Sequence, residues 1–263
     1  MVEKWIKRFY AFLLYLFLYA PIIVLIVYSF NSSKSRGKWE GFTLKWYVEL
    51  FKDRQIMEAL YYTVLVAFLA SIIATIIGTL AAIGIHDAGP VKKKLLLNLN
   101  YLPVLNPDIV TGVALMSLYI FVGKQMGLVT MLLSHITFNV PYVVLSVLPK
   151  LKQLNKHLAE AAMDLGATPF YAFRKVVLPE IMPGIVSGAL IAFTMSIDDF
   201  VISFFTTGSG VQNLSIKIFS MARRGLNPKI NALSTLMFLT VLILLLIINR
   251  KSSLEIKGKD DVA

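Results

Sequence analysis

Residues 160–179, EAAMDLGATPFYAFRKVVLP, are a polar interruption between two long apolar runs of a 263-residue chain. Residues 157–165 are rich in Ala, Leu, Glu and Met, all good helix formers, and Gly166 supplies the left-handed residue that ends a helix. Thr168 before Pro169 reads as an N-cap followed by a first-position proline. Arg174 and Lys175 fall in a last turn, where the helix dipole favours cations, and Pro179 forbids continuation. The stretch therefore predicts two short helices, the second of about two and a half turns, meeting at a sharp corner. Such an elbow can plug into a groove on another protein.

Composition fixes what surrounds this elbow. The chain is 57% hydrophobic and 16% charged, with a mean hydropathy of +0.72, which excludes an ordinary soluble domain and places it in a membrane. The net charge of +11 points to anionic lipid headgroups rather than nucleic acid, because Lys and Arg cluster beside the apolar runs and not on one amphipathic face. The absence of cysteine excludes disulfides, thiolate nucleophiles and Cys-ligated metals. His86, His135 and His157 show no metal-ligand spacing, which leaves structural or interfacial roles. No G-x-x-x-x-G-K-[ST] occurs, so any ATP hydrolysis has to come from a partner chain.

Runs long enough to cross about 30 Å of hydrocarbon lie at residues 9–30, 61–85, 95–122, 128–148, 181–205 and 232–249. The expectation is an all-α polytopic protein of six spans, one domain over 1–263, with segment 157–179 on one side. The first run is too long for a signal core and lacks a small-x-small cleavage site, and so reads as an uncleaved span. The N-terminus, the Lys92-Lys93-Lys94 loop, the elbow and the tail (Arg250, Lys251, Lys257, Lys259) carry 15 of the 26 Lys and Arg. That bias puts both termini and the elbow in the cytoplasm.

Within the spans, Pro21 is tolerable and Pro141 kinks the fourth. The third run cannot be one straight helix, because Pro103, Asn106, Pro107 and Asp108 interrupt it. Asn106 as N-cap, Pro107 at the first position and Asp108 in the first turn spell a helix start at membrane depth. Asp108 then either serves that helix's own amides or contacts a solute. In the fifth run stands Thr194-Met195-Ser196-Ile197-Asp198-Asp199-Phe200. An ionised Asp deep in a bilayer costs about 2.5 to 3.5 kcal/mol, so two adjacent ones call for compensation. Helical spacing puts Ser196, Asp199 and Ser203 on one face and Thr194 and Asp198 on the next, with Asp198 about 22 Å along the axis from Pro183. The pair reads either as helix caps or salt-bridge partners, or as a negative trap for a cationic solute. Trp46, in the connection after the first span, is either an interfacial anchor or an aromatic face that holds a passing ammonium.

The elbow carries a resemblance. Glu160-Ala161-Ala162, three residues, Gly166, nine residues, Val176, one residue, then Leu178-Pro179 is similar to the EAA loop of binding-protein-dependent ABC importer permeases, with Val176 where Ile is usual. Residues 41–47, the Ser29-Phe30-Asn31 end of the first span, and 179–184 through Asp198-Asp199 extend the likeness over nearly the whole chain, to the spermidine/putrescine (PotC-type) permeases. The resemblance implies a MetI-like (type I importer) fold in the cytoplasmic membrane. It further implies a second homologous permease, an extracytoplasmic solute-binding protein, and an ATPase dimer that binds the ATP and Mg this chain does not. In that family the loop seats in a cleft of the ATPase. The positions matching Trp46, Asp108, Ser196, Asp198 and Asp199 are implicated in polyamine passage. Where relatives carry an acid shortly after the EAA glycine, this chain has Pro169. Two other readings stay open: the same importer class with another solute, such as iron(III) or a small organic ion, and a secondary transporter driven without ATP.

Overall fold

The computed structural model describes residues 2–34, 38–155, 157–208, 210–224 and 228–260, the side chains of 2, 3, 244 and 247–260 aside. The side chains of the basic tail lie outside that set. Among the described residues every regular element is helical, and one isolated antiparallel bridge joins Asn31 to Phe42. The helices are α1 (Val2–Ser29), α2 (Lys45–Lys52), α3 (Arg54–Asp87), α4 (Pro90–Leu105), α5 (Asp108–Phe121), α6 (Leu128–Gln153), α7 (Leu158–Asp164), α8 (Pro169–Ala172), α9 (Leu178–Asp198), α10 (Val201–Thr206), α11 (Leu214–Arg223) and α12 (Pro228–Asp260), with a π turn at Phe173–Val177 between α8 and α9.

Among the described residues four helical stretches are long and apolar enough to cross a membrane: Lys4–Ser29, Arg54–Asp87, Leu128–Gln153 and Pro169–Asp198. A fifth span is made if α4 and α5 count together, and they are bent by 104° at the Pro103–Asp108 interruption. The sixth expected run falls on α12, whose apolar stretch among the described residues is the shorter Pro228–Ile243. α6 runs unbroken through Pro141 and Pro149.

The chain divides into two compact units, Met1–Glu58 with Lys217–Leu245, and Ala59–Ile216 with Leu246–Ala263. In the first, α1 exposes Trp5, Phe9, Phe12 and Phe17 along its length, as suits a helix that faces lipid. Its C-terminal end is tied down. The Ser29 and Tyr47 hydroxyls are 2.6 Å apart, and Phe30 stacks on Phe42 at 5.3 Å.

The second unit is organised on α6 against α9. Gly184, Gly188 and Ala192 recur every fourth residue on α9, the small-residue spacing that lets membrane helices approach closely. A Cβ at Gly184 would meet Ser146 O and Lys150 Cγ at 2.8 Å, and one at Gly188 would meet Val143 Cα at 3.2 Å. From α3, a Cβ at Gly78 would lie 2.7 Å from Val143 Cβ. Val143, Val144, Val147, Ile181 and Ala82 fill the core that results.

Candidate functional site

The elbow forms as its residues dictate up to one point. α7 ends in a Schellman motif: the Gly166 N–H donates to Met163 O (2.9 Å) and the Ala167 N–H to Ala162 O (3.1 Å), with Gly166 at φ +91°. Thr168 has the extended backbone of an N-cap, and its hydroxyl accepts from the Tyr171 N–H at 3.4 Å. Pro179, however, does not stop the second helix. The backbone widens into the π turn, where the Leu178 N–H reaches back five residues to Phe173 O. A proline ring ordinarily clashes with the carbonyl four residues earlier, here that of Lys175, and lacks the N–H to bond it. The widened turn removes both objections. α8, the π turn and α9 are one continuous rod, so Arg174 and Lys175 lie inside it and not at a C-terminus.

The elbow's tip is apolar and uncovered. Leu165 is 91% exposed and Phe170 is 72% exposed, flanking the Gly166 corner. Glu160 is exposed and accepts from His157 Nδ1 at 2.9 Å, Ala161 and Ala162 line the same short helix, and Leu178 and Pro179 follow the π turn. A cavity of about 460 Å³ opens behind the elbow, lined by Ile83, His86 and Leu151 from α3 and α6 and by Met163, Phe173 and Val177.

At the far end of α9 the spacing argument needs correction. The helix breaks at Asp199 (φ −59°, ψ +125°), so Ser196, Asp199 and Ser203 do not share a helical face. Asp199 and Ser203 join instead a buried polar network, and Ser196 pairs separately with α6. Asp199 Oδ2 accepts from the Ser203 N–H (2.7 Å) and Oδ1 from the Ile202 N–H (3.2 Å), capping α10. His135 Nε2, from α6, stands 2.8 Å from Ser203 Oγ and 3.5 Å from Asp199 Oδ2. Asn213 donates through Nδ2 to Asp199 O and to Ser203 Oγ, both 2.8 Å, while its Oδ1 caps α11 at the Ile216 N–H. Ser196 accepts from Asn139 Nδ2 at 2.7 Å. Asp198 is different: its carbonyl accepts from Ser215 Oγ at 3.2 Å, and its carboxylate is exposed.

Asp108 is also exposed, at the first position of α5. Pro107 occupies the cap position one residue later than expected, and Asn106 instead closes α4. Gly112, one turn on, brings α5 against Ile202 and Phe205 of α10.

Trp46 is neither a lipid-facing anchor nor an open aromatic face. It is 3% exposed, and its indole N–H donates to Asn31 O at 2.7 Å. The ammonium of Lys45 lies 5.5 Å from its ring centroid, so a cation already occupies that approach. Nearby, Lys229 Nζ takes up Asp53 (3.4 Å) and Glu49 (3.8 Å).

The sequence reading left His135 with a structural or interfacial role and did not connect it with Asn139 or Asn213. The signal was present for the first two, which are polar residues one turn apart on one face of an otherwise apolar span.

Comparison with known proteins supplies the context. A family described as "binding-protein-dependent transport system inner membrane component" matches residues 74–250. The spermidine/putrescine transport system permease protein PotC of Haemophilus influenzae is 36% identical over 256 residues, 96% of this chain and 100% of that one. The putrescine transport system permease protein PotI of Escherichia coli K12 is 40% identical over 227 residues, 84% and 81% of the two chains. Among solved structures, a bacterial ABC transporter involved in alginate import superposes with a TM-score of 0.71 at 20% identity, covering 96% of this chain and 98% of that one. The MetNI methionine ABC transporter gives 0.61 at 19% identity, covering 80% and 97%. These structures share the fold.

Proposed function

This chain belongs to the family of binding-protein-dependent transport system inner membrane components, and from that premise we propose that it is a permease subunit of an ATP-driven importer for polyamines of the spermidine and putrescine class. The observation that carries the cargo assignment is the exposed Asp198 carboxylate at the open end of a broken span, in a chain similar to PotC and PotI over most of its length. A carboxylate without a tight protein partner attracts an ammonium group and lets it go, as passage requires. Asp108 is a second exposed acid of the same kind, and Ser196 and Asp199 frame the first.

The partners follow from the same reading: a second homologous permease, a solute-binding protein outside, and an ATPase dimer that binds ATP and Mg inside. Both termini and the elbow face the cytoplasm. ATP binding closes the ATPase dimer, the segment 157–179 moves with it, and the spans it joins turn the path from inward-facing to outward-facing. ATP drives the change because it binds the closed dimer better than the open one. Glu160, Ala161, Ala162, Gly166, Leu178 and Pro179 build the contact, and the exposed Leu165 and Phe170 fill the groove.

The test is reconstitution with the adjacent genes' ATPase, permease and binding protein, followed by uptake of labelled spermidine in competition with amines of different length. Spermidine-stimulated ATP hydrolysis with competition by putrescine is the expected result. Uptake of iron(III) or another ion, with no response to any polyamine, overturns the cargo assignment and leaves the family standing.

A further inference from the structure

The network at the end of α9 contains a buried histidine that the importer reading above does not use. We propose that His135 is a positioning residue for solute passage: it holds the break in the fifth span and so sets the Asp198 carboxylate at the mouth of the path. The proposal rests on the importer reading above for its purpose, and on geometry for its substance.

His135 is 1% exposed on a membrane span. Its Nε2 edge meets the break, 2.8 Å from Ser203 Oγ and 3.5 Å from Asp199 Oδ2, while Nδ1 has no hydrogen-bond partner among the described residues. Phe138 packs edge-on against the ring at 5.3 Å. An apolar side chain of the same size would fill this space without a buried, unpartnered nitrogen, a feature that calls for an explanation. What the imidazole adds is its Nε2 edge, and that edge is committed to the two residues that fix how the chain leaves α9.

The link to Asp198 is short. Asp199 caps α10 with both carboxylate oxygens, and Asn213 clasps the carbonyl of Asp199 and the hydroxyl of Ser203 together. The break therefore has one conformation while these bonds stand. Asp198, the residue before it, ends α9 with its carbonyl held by Ser215 and its carboxylate outward. Loosening the break lets α9 and α10 join into a straighter helix, which swings the Asp198 side chain about the axis. His135 comes from α6, the helix packed along α9, so it also ties the orientation of Asp198 to the α6–α9 contact that the elbow would move.

The absence of cysteine makes a direct readout available. Asp198→Cys in the full reconstituted complex places one thiol in this chain, whose rate of modification by a cationic methanethiosulfonate reports its presentation with no solute needed. Adding His135→Leu is expected to change that rate by about tenfold, the ratio that 1.4 kcal/mol of lost positioning corresponds to. His135→Gln, which keeps an N–H donor at similar reach, is expected to restore it to within about twofold. With Asp198 intact, His135→Leu and Asp199→Asn together should reduce spermidine uptake no more than the worse of the two alone.

An unchanged rate of thiol modification when His135→Leu is added to Asp198→Cys overturns the proposal, as does a failure of His135→Gln to restore it. If His135→Leu does not assemble, Ser203→Ala carries the same test by deleting the hydroxyl between His135 and Asn213, and an unchanged rate there is equally fatal. A wild-type complex that takes up no polyamine sinks the cargo assignment instead, and the thiol comparison still decides the role of His135.

Discussion

Asp198 and Asp199 are neighbours in sequence and opposites in surroundings: Asp198 is exposed at the end of α9, while the side chain of Asp199 is 8% exposed and spends both oxygens on the backbone of α10. Two adjacent acids in a membrane span therefore divide between two jobs. One is the compensation that intramembrane charge demands, and the other is the charge left available.

Substitution should separate them. Asp198→Asn is expected to lower polyamine uptake about tenfold or more while leaving thermal stability and basal ATPase activity where they were. Asp199→Asn should lower uptake and also destabilise the subunit, by about 1 to 3 kcal/mol for buried hydrogen bonds weakened or lost. Melting of the detergent-purified complex alongside uptake checks both, and a wild-type melting temperature for Asp199→Asn would contradict the capping role.

The corner at Gly166 should tolerate no proline. Gly166→Pro cannot adopt φ +91° and deletes the N–H that bonds Met163 O. Assembly into the membrane should persist, with ATP hydrolysis no longer linked to uptake. Wild-type coupling in this variant would count against the elbow as the transmitting element.

Packing of α6 on α9 sets a third expectation. Gly188→Ala places a methyl group 3.2 Å from Val143 Cα and should cost about 1 to 3 kcal/mol; Gly184→Val, with contacts at 2.8 Å, should cost at least as much. Thermal unfolding in detergent measures the order. Equal stability of wild type and Gly184→Val would refute the close approach.

Trp46 offers an optical check. Trp39, in the connection outside the spans, is 51% exposed against 3% for Trp46, so acrylamide should quench Trp39 while Trp46, and Trp5 on the detergent-covered face of α1, stay shielded. Trp46→Phe should shrink the shielded component and leave the accessible one intact and, by leaving Asn31 O without its indole donor, destabilise by about 1 to 3 kcal/mol. Loss of only the accessible component would show that the ring is open after all.

Local signals were legible wherever one or two turns of chain decide the outcome. Hydropathy located the long helices, Gly166 and Thr168 placed the corner, and the prolines before Asp108 marked the 104° bend. What stayed hidden was settled by distant residues. Ser203 finds His135 across 68 positions, and Trp46 is buried because Asn31, 15 positions earlier, offers a carbonyl. The break at Asp199 has no proline or glycine to announce it. Pro179 misled in the other direction, since its reading as a stop assumes a ladder of ordinary pitch, and the chain changes pitch just before it.

That change of pitch gives the two ends of the elbow unlike mechanical characters. At Gly166 the chain turns through a single residue, which behaves as a pivot. Through Phe173–Val177 it never leaves its helical course, so there is no slack in which a displacement of α8 could be lost. A shove at the tip must arrive at Asp198, 28 positions beyond Phe170, as thrust or torque on a stiff shaft.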